Sequence, residues 1–86
     1  MTTTFTRAEI ARHSTRDDCW VIMHDMVYDV THFLREHPGG AKVIAHFGGK
    51  DITEEFDSIH RPATLPILAK KWMIGRVALA RKQNAG

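Results

Sequence analysis

CWVIMHDMVYDVTHFLREHPGG, residues 19–40, holds two kinds of local order in succession. The runs CWVIM and MVYDV are rich in β-branched and aromatic residues and flank His24-Asp25, a spacing that predicts a tight β-hairpin. Thr31 then stands where a helix cap is needed, at the head of THFLREH. Pro38 ends that helix, because proline lacks a backbone donor and disfavours helical geometry in the residue before it. Gly39 and Gly40 form a bend. A hairpin therefore feeds a short helix that stops at His37, on the lip of a turn made of one stiff and two loose residues.

Upstream, Thr6-Arg7-Ala8-Glu9 has the form of a capping box, with the Thr6 hydroxyl accepting from the Glu9 amide. It predicts a helix from Arg7 to His13. Downstream, AKVIAHF reads as another short helix, closed by Gly48-Gly49. Asp51 and Glu54 frame a second capping box for ITEEF, and His60 follows that helix ahead of Arg61-Pro62. ATLPILAKKWMIG supplies a last helix, with Pro66 in its first turn and Gly75 at its end. A short strand is expected through Arg76-Val77, and residues 78–86 read as a polar tail or linker. The order is α+β: a small sheet with paired short helices gathered at one end.

The chain has 86 residues, with 43% apolar, 12 basic and 10 acidic side chains and a net charge of +2. That length makes one domain, spanning 1–86, which buries only about 60–65% of its unfolded surface. Domains this small often lean on a disulfide, a metal or a bound cofactor. Cys19 is the sole cysteine, so no internal disulfide forms, and it is expected to be a small half-buried residue beside Trp20. The basic residues are scattered, a weak footprint for nucleic acid. No stretch approaches the roughly 18 apolar residues of a membrane span, and no signal sequence opens the chain. A soluble, cytoplasmic, monomeric protein without a membrane anchor is the expectation.

Six histidines remain to be placed. His13, His24, His32 and His46 sit in polar or turn contexts and read as solvated or core-edge residues. His37 and His60 each stand just past the end of an expected helix, with a proline one or two residues on. Apolar residues precede both: Phe33 and Leu34, then Phe56 and Ile59. On these features alone the ordinary reading keeps the edge, since helices often end in a histidine that satisfies their last carbonyls. Zinc fits poorly with one cysteine and no close pair of histidines, and covalent haem attachment requires a C-x-x-C-H motif that is absent. A flat apolar macrocycle with a central iron fits the physics best. It needs imidazoles from opposite walls of an apolar slot and backbone able to approach the ring, as Gly39 and Gly40 allow.

The combination W-V-I-x-x-x-x-V-Y-D-V-T-x-F-L (Trp20 to Leu34), H-P-G-G (37–40) and F-x-x-x-H (Phe56 to His60) resembles the cytochrome b5 domain over about residues 5–77. H-P-G-G alone is moderately specific; the three together are highly specific. The interval from Phe56 to His60 is similar to that in the haem domains fused into nitrate reductase, sulfite oxidase-like enzymes and flavocytochrome b2. The resemblance implies a cytochrome b5-like fold, a small mixed sheet with short helix pairs forming a haem cleft. It implies one non-covalent haem b per chain, with His37 and His60 as axial ligands. By the same resemblance Met23, Phe33, Pro38, Gly39, Val43, Ile44, Phe56, Ile59, Leu68 and Trp72 line the pocket, and Arg61 faces a haem propionate.

The function implied is one-electron transfer rather than catalysis at iron, because two imidazoles leave the metal no open position. The implied partners are a redox protein or a fused flavin or molybdenum domain. Asp51, Glu54, Glu55 and Asp57 keep an acidic patch near the expected haem edge, although microsomal members of the family are more acidic as a whole.

Overall fold

The computed structural model describes residues 3–36, 46–59 and 63–78. In chain order these form β1 (Thr4–Phe5), α1 (Arg7–Ala11), β2 (Ser14–Thr15), β3 (Asp18–Met23), β4 (Met26–Asp29), α2 (Thr31–Glu36), α3 (Thr53–Ile59), α4 (Thr64–Trp72) and β5 (Met73–Val77). The strands make one sheet in the order β1-β5-β4-β3-β2. β1 runs parallel to β5 and every other pair is antiparallel, so the sheet is mixed, as the resemblance implied. No helix among the described residues is long and apolar enough to cross a membrane.

The β3–β4 hairpin turns at His24-Asp25, as expected. Met23 pairs with Met26, and both turn residues have positive φ, 52° and 64°. That is the twist a two-residue hairpin loop needs to match the twist of its strands. Alternation along β3 then divides the core. Cys19, Val21 and Met23 share one face with Tyr28 and Phe56. Ile22 shares the other with Val27, Val77 and Ile10, and Trp20 packs against that second group.

The three later helices cover the first face. Phe56 of α3 is buried in it, and Leu65, Leu68, Ala69 and Trp72 of α4 pack against it. α1 covers the second face instead, inserting fully buried Ile10. The helices are thus divided between two faces rather than gathered at one end, because Ile10 can leave water only where Ile22 and Val27 are exposed to it.

Several local expectations shift. Thr6 caps α1 as expected, its Oγ1 accepting from the Glu9 amide at 3.0 Å. The helix stops at Ala11, however, and the His13 carbonyl accepts from the Trp20 amide, which draws the chain toward β3. Gly75 lies within β5, opposite Val27, and the helix ends at Trp72. A Cβ on Gly75 would collide with the Thr3 carbonyl and come within 2.7 Å of the Phe5 ring, so its role is to let β1 approach. Cys19 is fully buried, not half-buried. Helical residues His46 and Phe47 are followed by a turn at Gly48-Gly49. Gly49 has a φ of 77°, the left-handed geometry expected where a helix closes. The remainder of the helix expected over AKVIAHF lies outside the described residues, as does the tail from residue 79.

Candidate functional site

α2 and α3 are started by the same three-residue device. Asp29 Oδ1 accepts from the Thr31 amide (3.1 Å) and from the Thr31 hydroxyl (2.7 Å). Asp51 Oδ1 accepts from the Thr53 amide (3.0 Å) and hydroxyl (2.6 Å). The aspartates, two residues upstream, satisfy the helix-start donors, so Thr31 is not the cap that the sequence suggested. Each threonine instead turns its oxygen to β3. Thr31 Oγ1 accepts from the Cys19 amide at 2.9 Å, and Thr53 Oγ1 from the His24 amide at 2.9 Å. One helix is pinned where β3 begins and the other just past its end. In sequence, α2 leads to His37 and α3 to His60.

Between these anchors lies an apolar wall. Met23 and Phe56 are buried in it, and Leu68 and Trp72 are half-buried against it. Phe33 of α2 meets Trp72 edge-on, ring centroids 6.2 Å apart and planes at 66°, which ties the first helix to the last. The structure therefore brings together Met23, Phe33, Phe56, Leu68 and Trp72 of the expected pocket. His37, Pro38, Gly39, Val43, Ile44, His60 and Arg61, with the side chain of Ile59, lie outside the described residues. Leu65 and Ala69 belong to the same wall and were not singled out from sequence. Their signal was present: Leu65, Leu68, Ala69 and Trp72 fall at the i, i+3, i+4, i+7 spacing of one helix face. Val30 and Ile52, which also pack here, are the middle residues of the two Asp-x-Thr starts.

The rim is polar. An open hollow of about 550 Å³ is lined by His24, Asp25, Asp51, Thr53, Glu54 and Glu55. Beside it, His24 Nε2 donates to Asp57 Oδ1 at 2.9 Å. Partial burial pushes the Asp51 carboxyl up, but hydrogen bonds from Thr53 and the guanidinium of Arg7 outweigh this and hold it below its ordinary value. Burial, with the nearby charges of Asp29 and Asp18, pushes the Cys19 thiol up to about 11. It is a packed, protonated thiol rather than a nucleophile. Burial likewise raises Tyr28.

The other described histidines have ordinary roles. His13 stacks on Trp20, centroids 3.5 Å apart, and bonds Asp18; His32 and His46 are exposed. No group of three or more His, Cys, Asp or Glu able to hold a metal ion occurs among the described residues.

The family described as the cytochrome b5-like heme/steroid binding domain matches residues 6–78. A cytochrome b5 of Drosophila melanogaster is 46% identical over 83 residues, 96% of this chain and 62% of that protein. The chain thus spans less than two thirds of that relative's length. A nitrate reductase of Phytophthora infestans is 52% identical over 68 residues, 79% of this chain but 7% of the enzyme. Among solved structures, the cytochrome b5 of Ostreococcus tauri virus 2 superposes with a TM-score of 0.76 at 51% identity, covering 86% of this chain and 95% of that one. With the sheet, the helix pairs and the three sequence motifs, these likenesses place the chain in the cytochrome b5-like heme/steroid binding family.

Proposed function

We propose that this domain transfers electrons one at a time through a single haem b held non-covalently between His37 and His60. The observation that carries the reading is the pair of matched helix starts. Asp29-Val30-Thr31 and Asp51-Ile52-Thr53 fasten two short helices to opposite ends of β3, and in sequence each helix runs to one of the two histidines.

The residues present suit such a group. Leu65, Leu68, Ala69, Trp72 and Phe33 are only half-buried although apolar, and they extend the wall founded on Met23 and Phe56. A broad, flat apolar ring laid on them gains roughly 25 cal/mol for each Å² removed from water. The donor set is two neutral imidazoles, which suits iron in a porphyrin. Held by two imidazoles, haem would supply an iron that exchanges a single electron and would leave no free position for oxygen or a substrate.

The rest is done by the chain. Met23, Phe33, Val43, Ile44, Phe56, Ile59, Leu68 and Trp72 keep water from the slot. Pro38 would stiffen the chain after His37, and Gly39, without a Cβ, would let backbone come close to the ring. Arg61, with its planar guanidinium, would pair with a propionate. Backbone carbonyls accepting from the outer nitrogen of each imidazole would fix its orientation and raise its basicity.

The domain acts as a carrier, not as a catalyst in its own right. The likeness to one domain of nitrate reductase supports a place beside a fused flavin or molybdenum domain; the likeness to cytochromes b5 supports a separate carrier serving a redox partner protein, which on this proposal is monomeric and cytoplasmic. A sterol-binding role, the other half of the family's description, leaves the two histidines without a task. Titrating the purified protein with haemin tests the proposal. The expected result is saturation at one haem per chain with a sharp α band on dithionite reduction. A protein that binds no haem, or several loosely, contradicts it.

A further inference from the structure

We propose that His24 is a positioning residue for the second axial ligand, its ring holding the latter half of α3 through Asp57; the inference rests on His60 being that ligand. His24 is not the residue the hairpin alone would choose. With φ of 52° and 64°, this turn favours Asn-Gly, and a histidine there is tolerated rather than preferred. What the histidine adds is reach. Its backbone amide donates to Thr53 Oγ1 at 2.9 Å, and its ring Nε2 donates to Asp57 Oδ1 at 2.9 Å. Thr53 and Asp57 are four residues apart on one face of a seven-residue helix. A helix this short has little stability of its own, and two bonds one turn apart set both its height and its rotation.

The clamp has a firm base. The carbonyl of the other turn residue, Asp25, accepts from the Val77 amide at 2.9 Å, so the loop is fastened to β5 on one side and to α3 on the other. On the apolar side α3 is held by Phe56, which is 6% exposed, and by Ile52, whose amide donates to the Ile22 carbonyl at 2.8 Å. Those anchors act on the first half of the helix and its middle. Asp57 lies one turn beyond Thr53 and three residues before His60 in sequence, and His24 holds it. Strain at a non-glycine turn residue that clamps a functional helix is the pattern expected where geometry has to be held.

The test uses haem-loaded protein. His24→Asn keeps a residue suited to left-handed geometry and keeps the backbone bond to Thr53, but its side chain is too short to reach Asp57; Asp57→Ala removes the other partner. The low-spin electron paramagnetic resonance spectrum reports the angle between the two imidazole planes, and transfer of haem to excess apomyoglobin reports its release. His24→Asn should shift the g-values and speed haem transfer about two- to fivefold, the size expected of one half-exposed pair. The double variant should do no more than either single one.

Unchanged g-values and wild-type haem release in His24→Asn overturn the inference. So does a loss of urea resistance without a spectral change, or simple additivity in the double variant. The wild-type spectrum judges the underlying reading separately. If it is not that of two axial imidazoles, the proposed function fails whatever His24 does.

Discussion

Thr31 and Thr53 do the same work at the two ends of β3: each hydroxyl oxygen accepts a backbone amide of the hairpin, from Cys19 and from His24, at 2.9 Å. Both are held in place by an aspartate two residues upstream. Their surroundings differ, Thr31 being buried and Thr53 near the surface. Thr31→Val keeps the shape but leaves the Cys19 amide without its partner in the core, an expected loss of about 1–3 kcal/mol. Thr53→Val should lose less, about 1 kcal/mol or under, because water reaches the freed amide. Urea unfolding of the two variants checks the order; equal losses contradict it.

The edge-on contact of Phe33 with Trp72 joins the helix before His37 to the last helix. Trp72→Ala and Phe33→Ala should each destabilise the protein by about 2 kcal/mol, below the figure for fully buried aromatics. The pair should couple by about 0.5–1.5 kcal/mol in a double-mutant cycle. Strictly additive effects would mean that the two rings do not support one another.

Asp51 links the site to pH. Its folded-state pKa lies below the ordinary value of 3.8, so the native state binds fewer protons there than the unfolded chain. The stabilisation is complete above about pH 5 and is lost as pH falls through the lower, folded value. Asp51→Asn should cost up to about 1 kcal/mol near neutrality, discounted for exposure, and the difference from wild type should vanish in acid. A difference that grows on acidification contradicts the assignment.

Much of this was legible in the sequence because it is local. The hairpin follows from β-branched runs around a two-residue turn, and the cap on α1 from Thr6 and Glu9 lying three apart. Elsewhere the signal was tertiary. β1 and β2 are two residues each and exist only because β5 and β3 offer edges to pair with. Gly75 obeys the rule of proline near a helix start and glycine near its end, yet the approach of Thr3 and Phe5 is what requires it. Thr31 heads its helix like a cap, but Asp29 takes the donors and frees the threonine to reach Cys19. Met23, Phe33, Phe56, Leu68 and Trp72 were named through the family resemblance rather than by any local signal, and the structure gathers them on one apolar wall. The clamp from His24 to Asp57 was not, since 33 residues separate the partners and a turn histidine carries no such mark.

Cys19 is fully buried and its thiol is pushed up to about 11. At pH 8 the folded protein should therefore resist iodoacetamide for hours, and labelling should follow unfolding in urea. Prompt stoichiometric labelling of the native protein would place this thiol at the surface, against the packing of β3 beneath α2 to α4.

The decisive observation is the response of the dithionite-reduced, haem-loaded protein to carbon monoxide, taken beside His37→Ala and His60→Ala. With imidazoles on both sides of the iron, the wild-type visible spectrum should not change, whereas each variant should lose its low-spin spectrum and bind the gas. Rapid carbon monoxide binding by the wild type, or a variant that keeps the bis-imidazole spectrum, would remove those two histidines from the iron.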